Sequence, residues 1–333
     1  MQALQLFSFV TEEHLSFAIV ILVASFITFL SSYVRDSDEV SHNQMSMTEA
    51  ARFPFVAAAV LTSLFLVMKF ASKIWLNRLL TVYFVVISGF AMAYMLSSFL
   101  STFFSSKFPG VFKERSLKIK FLFVNEELKF DWCLVICLFP ALLIGIAYAL
   151  SKHWILNNVL ALVFCLLSAN QISVPSFKVG TVLLLGLFVY DCVFVFKTPI
   201  MVSVATGLDL PIKLVFPRFP VSYFISSDPE ALKFSLLGLG DIILPAIFIR
   251  LVSKYEVSRE KHSRVLYTAV MFAYTCACVC AIFVMLKYKH AQPVLLYIVP
   301  MLLVTTFIVA LCRGELGSLL RFTDKPEEQI KQE

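Results

Sequence analysis

Apolar residues run along this chain in long blocks, and shorter polar stretches between them hold most of its charged side chains. A helix that crosses a bilayer needs roughly 20 mostly apolar residues. Windows near that length fall at 15–34, 54–69, 77–99, 130–150, 154–173, 178–197, 231–253, 266–286 and 292–312. The pattern predicts an all-α polytopic membrane protein with about nine transmembrane helices. The longest connections are 100–129, which is basic, and 198–230, which contains Pro199, Pro211, Pro217, Pro220 and Pro229. So many prolines exclude one straight helix there, and the segment is expected to lie against the membrane surface or the helices. A polar tail, RFTDKPEEQIKQE, closes the chain.

Charge orients the windows. The stretch before the first, MQALQLFSFVTEEH, carries two Glu and no Lys or Arg, whereas a cleavable leader has a basic start and a shorter apolar core. A retained first helix with its N-terminus outside the cytosol is expected. In that orientation the cytosolic connections hold seventeen Lys and Arg and the lumenal ones eight, which agrees with the excess of positive charge on the cytosolic side. The remaining three, Arg78, Lys233 and Arg250, fall near predicted helix ends, where long cationic side chains snorkel to the interface.

Composition removes the other broad classes. Hydrophobic residues make up 59% and charged residues 15%, and the net charge of +6 is scattered with no basic face. That excludes a soluble globular enzyme, a disordered chain and a nucleic-acid binder. The eight Cys include no CxxC pair, and Cys276, Cys278 and Cys280 fan around a helix axis without converging on a metal. They read as small buried hydrophobes in packed or lipid-facing helices.

The chemistry lies with two acids. Of twenty-two Asp and Glu, only Asp191 and Asp241 fall well inside apolar windows; Asp131 opens the fourth. An acid at mid-bilayer costs roughly 2.5–3.5 kcal/mol on insertion scales and marks a functional site by default. No Lys, Arg or His lies at comparable depth, so each acid's natural partner is the other. The sixth window runs toward the lumen and the seventh returns, so the helices are antiparallel, and at ~1.5 Å per residue the depths of the two acids differ by only about 5 Å, within reach once tilt is allowed. Gly238 and Gly240 flank Leu239 just before the second acid and allow close backbone approach. Pro245 lacks the N–H that would otherwise bond the carbonyl of Asp241. Two carboxylates in one low-dielectric site share a proton, so one can act as general base on water and the other as general acid. No HExxH or GxS motif is present, and His14, His42, His153, His262 and His290 all fall outside the window cores. Tyr190, beside the first acid, is either a filler aromatic or a hydroxyl that orients the pair.

Tyr190-Asp191, Gly238-Leu239-Gly240-Asp241 and Gln292-Pro293-Val294-Leu295-Leu296-Tyr297 resemble the YD, GxGD and QPALLY motifs of signal peptide peptidase. This is the family of intramembrane aspartyl proteases related to presenilin. The likeness continues in RFPFV (52–56), KHW…NN (152–158), TPIMVSVA (198–205), PIKLVFP (211–217) and LGLGDIILP (237–245), so it covers most of residues 50–312. It implies a presenilin-like fold and catalytic Asp191 and Asp241. It also implies a site shaped by Tyr190, Gly238, Leu239, Gly240, Gln292, Pro293, Val294 and Leu295. The resemblance further implies an endoplasmic-reticulum enzyme, N-terminus lumenal and C-terminus cytosolic, that cleaves membrane-spanning signal peptides and similar type II segments. The bilayer is its surroundings; no metal, cofactor or nucleic acid is implied, and self-association is left open.

The chain departs from the family at Val294, where the motif has Ala, and after Asp191, where CVFVFK lacks the usual Trp and ends on Lys197. The terminal IKQE has one of the two lysines of a dilysine retrieval signal, and there is no N-x-S/T sequon. By this reading residues 1–175 hold the N-terminal helices, 176–312 the catalytic helices and 313–333 a cytosolic tail. The residues alone leave open a proton-coupled transporter with the two acids as a relay, or a non-proteolytic chaperone that binds membrane peptides.

Overall fold

A computed structural model describes residues 2–33, 44–70, 72–104, 111, 115–121, 124–198, 200–208, 210–217, 234–259, 264–288 and 292–324. In chain order the elements are α1 Gln2–Tyr33, α2 Met47–Phe70, α3 Lys73–Phe104, β1 Arg115–Phe121, β2 Val124–Phe130, α4 Trp132–Ser151, α5 Trp154–Gln171 and α6 Phe177–Phe196. They continue with α7 Ile200–Gly207, β3 Lys213–Pro217, β4 Phe234–Gly238, α8 Gly240–Val257, α9 Val265–Tyr288, α10 Leu295–Cys312 and α11 Leu316–Arg321. The chain is a polytopic helical membrane protein. Among the described residues, length and apolarity single out seven helices able to cross a membrane: α2, α3, α4, α5, α6, α9 and α10. The apolar stretch Ser16–Ser32 of α1 is shorter, and α8 carries Asp241, Arg250, Lys254 and Glu256 among its eighteen residues. Pro199, Pro220, Pro229, Lys233 and the terminal IKQE lie outside the described residues.

Two compact units form, one of residues 74–164 and 209–213, the other of residues 1–73, 165–208 and 214–333. In the first, the basic connection is an antiparallel ribbon that pairs Arg115 with Phe130 and Phe121 with Val124. Asp131 then caps α4, its carboxylate accepting the Leu134 N–H at 2.8 Å and the Ser97 hydroxyl at 3.2 Å. Helix α4 buries a stripe of small residues, Cys133, Cys137, Ala141 and Gly145, and exposes Ile136, Phe139, Leu143, Ile146 and Leu150 on its opposite face. Spacing of three and four puts each set on one side of the helix, the small set for packing and the large set for lipid. The Cβ that Gly145 lacks would fall 2.6 Å from Val85 of α3.

The larger unit holds both deep acids. Helix α2 starts in a capping box: the Ser46 N–H donates to the Glu49 carboxylate at 2.8 Å, and the Glu49 N–H donates to the Ser46 hydroxyl at 3.2 Å. Helix α1 lines up Ser16, Phe17, Val20, Ala24, Ile27, Thr28 and Ser31 on one buried face. Its hydroxyls reach across helices, from Ser25 to Thr275 at 3.1 Å and from Ser32 to Tyr267 at 2.7 Å. Helix α8 is buried on nearly every side, against Phe177 and Leu184 of α6, Tyr274 of α9 and Leu302 of α10.

Two sequence expectations change here. The window 231–253 is not one helix: 234–238 form a strand paired with β3, and α8 begins only at Gly240. Two glycines in three residues weaken a helix there, while β3 supplies a partner for the backbone of Phe234–Gly238. Arg250 does not snorkel. It is buried, and its guanidinium donates to the Ala169 carbonyl at 3.2 Å and to the Asn170 side-chain oxygen at 3.1 Å. It thereby satisfies carbonyl groups at the end of α5, where the helix dipole favours a cation.

Candidate active site

Helix α6 is capped at its start by Ser176, whose hydroxyl accepts the Val179 N–H at 3.4 Å, and runs unbroken to Asp191 in its last turns. Leu183, Leu184, Leu187 and Asp191 lie on its buried face, so the acid belongs to the packed side; only 2% of its surface is exposed. Opposite Asp191 is the start of α10. The Leu295 N–H donates to the Asp191 carboxylate at 3.3 Å. Leu295 is the first residue of that helix, so this N–H has no partner within α10 and is aimed outward with the positive end of the helix dipole. Pro293 is buried and has no N–H, and Val294 precedes the helix without a side-chain cap. The acid of one helix thus caps the next.

Asp241 is the second residue of α8, not a residue well inside a helix. Leu239 starts the turn, its carbonyl accepting the N–H groups of Ile242 at 3.1 Å and Ile243 at 2.9 Å. The Asp241 carboxylate lies over Gly238, where a Cβ would meet its oxygen at 3.4 Å. At Gly240 nothing among the described residues lies within 4 Å of the place its Cβ would occupy. The Asp241 carbonyl, which Pro245 leaves without a helical donor, accepts the Tyr274 hydroxyl of α9 at 3.4 Å. The helices that carry the two acids, α6 and α8, pack against one another.

The remaining sequence candidates gather around the pair to different degrees. Val294 and Leu295 pack into the same apolar cluster as Leu187 and Ile249. The Gln292 side chain accepts the Tyr297 hydroxyl at 3.4 Å, which closes the turn into α10. The Tyr190 ring packs at a tilt of 36° on Phe194 with centroids 4.7 Å apart, and no hydrogen bond joins its hydroxyl to either acid among the described residues. Two contributors were not legible in the sequence. The Leu295 N–H acts through the backbone, where side-chain identity is silent. Tyr274 is an ordinary aromatic in an apolar window, and only the proline four residues after Asp241 hints that some outside donor is needed. No group of three or more His, Cys, Asp or Glu that could hold a metal occurs among the described residues.

The family model described as signal peptide peptidase matches residues 37–326. The mouse protein named signal peptide peptidase is 37% identical over 281 residues, which is 83% of this chain and 73% of that protein. Its human counterpart is 36% identical over 281 residues, again 83% of this chain and 73% of that protein. A Caenorhabditis elegans protein named intramembrane protease 2 is 36% identical over 210 residues, 60% of this chain and 44% of its own length.

Proposed function

The chain belongs to the signal peptide peptidase family and is an intramembrane aspartyl protease; on that premise we propose that Asp191 and Asp241 are its catalytic pair. One carboxylate is ionised and the other holds the shared proton. A water between them gives a proton to the ionised carboxylate as its oxygen attacks the scissile carbonyl, and the protonated partner donates to the carbonyl oxygen. Collapse of the tetrahedral diol breaks the C–N bond: the proton taken from water goes to the leaving amine, and one diol hydroxyl returns its proton to the partner carboxylate, which restores the shared proton. The observation that supports the assignment is the Leu295 N–H on Asp191, which holds that acid in one orientation on the buried face of α6, the helix that packs against α8. The catalytic segment is 176–312, with 1–175 as the N-terminal helices and 313–333 as a cytosolic tail.

The substrates are membrane-spanning signal peptides and similar segments whose N-terminus is cytosolic, cleaved in the endoplasmic reticulum by an enzyme with a lumenal N-terminus. A continuous helix keeps its carbonyls inside hydrogen bonds, so the substrate must unwind before water can attack. Gly240 presents no side chain to an extended substrate beside Asp241, and such a segment can add to the sheet of β3 and β4. The test is to incubate detergent-solubilised protein with a synthetic signal peptide and weigh the products. Cleavage within the apolar segment is expected, faster with Gly, Ser or Pro at its centre than with a poly-Leu core. In membranes, the same segment should be cut in one orientation only. Equal cutting in both orientations, or faster cutting of the poly-Leu version, overturns the substrate assignment.

A further inference from the structure

Within the larger unit a cavity of about 50 Å³ opens between α1, β4, α9 and the turn at 292–294. Val20, Leu236, Ala281, Met285 and Val294 make its wall apolar, and Gln292 adds a polar group. Ser235, also on the wall, is already bonded to Ser16 of α1 at 3.2 Å. The cavity's place in the chain ties it to both acids. Val294 directly precedes Leu295, whose N–H reaches Asp191, and Leu237 on the wall directly precedes Gly238, over which the Asp241 carboxylate lies. Leu236 is a large apolar residue on a strand that leads into the site, and it remains 48% exposed. A single water needs roughly 10–15 Å³ of such space, so this cavity accepts about three to five heavy atoms. That is the size of a Val or Leu side chain and too small for an aromatic ring.

We infer that this cavity is a specificity subsite that takes one branched aliphatic side chain of the unwound substrate close to the scissile bond. The inference rests on the catalytic reading above. A membrane-spanning substrate is rich in such side chains, and the wall offers them apolar contact without a buried charge to satisfy. Val294 in place of the family's Ala narrows the cavity from the side nearest Asp191, which makes it a specificity-determining position.

The test compares peptides that differ at single positions on either side of the cleaved bond, with Ala, Val, Leu or Phe in turn. Each is assayed for kcat/KM by product mass with the unaltered chain and with Met285→Ala and Ala281→Leu, both on α9. At one position the unaltered chain should favour Val or Leu over Ala and Phe. Met285→Ala, which widens the cavity, should shift that position toward Phe, and Ala281→Leu, which fills it, toward Ala, each by about tenfold in the ratio of kcat/KM values. Val20→Ala widens the cavity from α1 and replaces either variant should it fail to fold. A side-chain ranking that is the same at every position in all variants overturns the inference. So does a rate that follows the acyl length of the detergent with the ranking unchanged, since a lipid chain then fills the cavity. The two readings fail separately: cleavage that survives Asp191→Asn sinks the assignment of the acids, whereas an unchanged ranking in chains that still need Asp191 sinks the subsite.

Discussion

Helices α6 and α8 each bring one deep acid to the site, by opposite means. Helix α6 is a long apolar rod with its acid near the far end, one face buried and the other exposing Leu185, Val189 and Val193. Its geometry follows from the packing of its whole length, so Asp191 inherits its place from residues a turn or more away. Helix α8 begins where its acid is. Asp241 is placed by a strand-to-helix turn, and the helix behind it is buried on nearly all sides with three more charged residues. Those charges anchor the end remote from the acid. Glu256 accepts the N–H groups of Leu266 at 2.8 Å and Tyr267 at 3.0 Å and pairs with Arg313 at 3.1 Å, while Lys254 pairs with Asp324 at 2.6 Å. Phe322, in the segment after α11, packs its ring on Phe177 of α6 and Tyr255 of α8. The difference teaches that one acid is held by the continuity of a helix, and the other by a local turn together with distant polar clamps.

Substitutions can break or sharpen that contrast. The largest effect belongs to the acids themselves. Asp191→Asn or Asp241→Asn should lower peptide cleavage on the order of a thousandfold or more, with expression and helix content by circular dichroism unchanged, because neither carboxylate is needed for insertion. The unaltered chain should show a bell-shaped pH–rate profile whose two limbs belong to the pair. Substantial activity in either single variant would remove the coupled pair.

Gly238→Val tests the turn that places Asp241. The added side chain would displace the carboxylate now lying over Gly238, and a misplacement near 1 Å costs about a hundredfold. The loss should appear in kcat with KM little changed. By contrast Val189→Ala, on the exposed face of α6, should leave kcat untouched; equal losses in the two variants would erase the distinction between the helices.

Arg313→Ala tests the remote clamp. It leaves Glu256, only 4% exposed, without its cation but with two N–H donors, so a loss of about 2 kcal/mol in unfolding free energy is expected. Thermal unfolding in detergent measures it, and an unchanged midpoint would show that the clamp adds nothing to α8. The smallest effect is at the third motif. Val294→Ala shortens the side chain on the cavity wall at the start of α10 and should raise cleavage several-fold or broaden substrate choice. Unchanged rate, substrate range and inhibitor affinity would reduce Val294 to packing.

Much of this molecule is legible in its sequence. Block length and the scarcity of charge are enough to make it a polytopic helical membrane protein, because a bilayer admits only backbones that satisfy their own hydrogen bonds. Two acids at depth stand out for the same reason: hydrocarbon makes them costly, so their presence is itself information. Pro245 announced a freed carbonyl at Asp241, though not that Tyr274 would meet it. What stayed hidden depends on partners distant in the chain. The apolar stretch before Asp241 reads as the start of a helix, and only pairing with β3 makes Phe234–Gly238 a strand. Arg250 looked like an interfacial cation until the end of α5 supplied its acceptors. The Leu295 N–H reaches Asp191 only because α6 and α10 pack side by side, and a backbone donor leaves no mark on the identity of the residue that carries it.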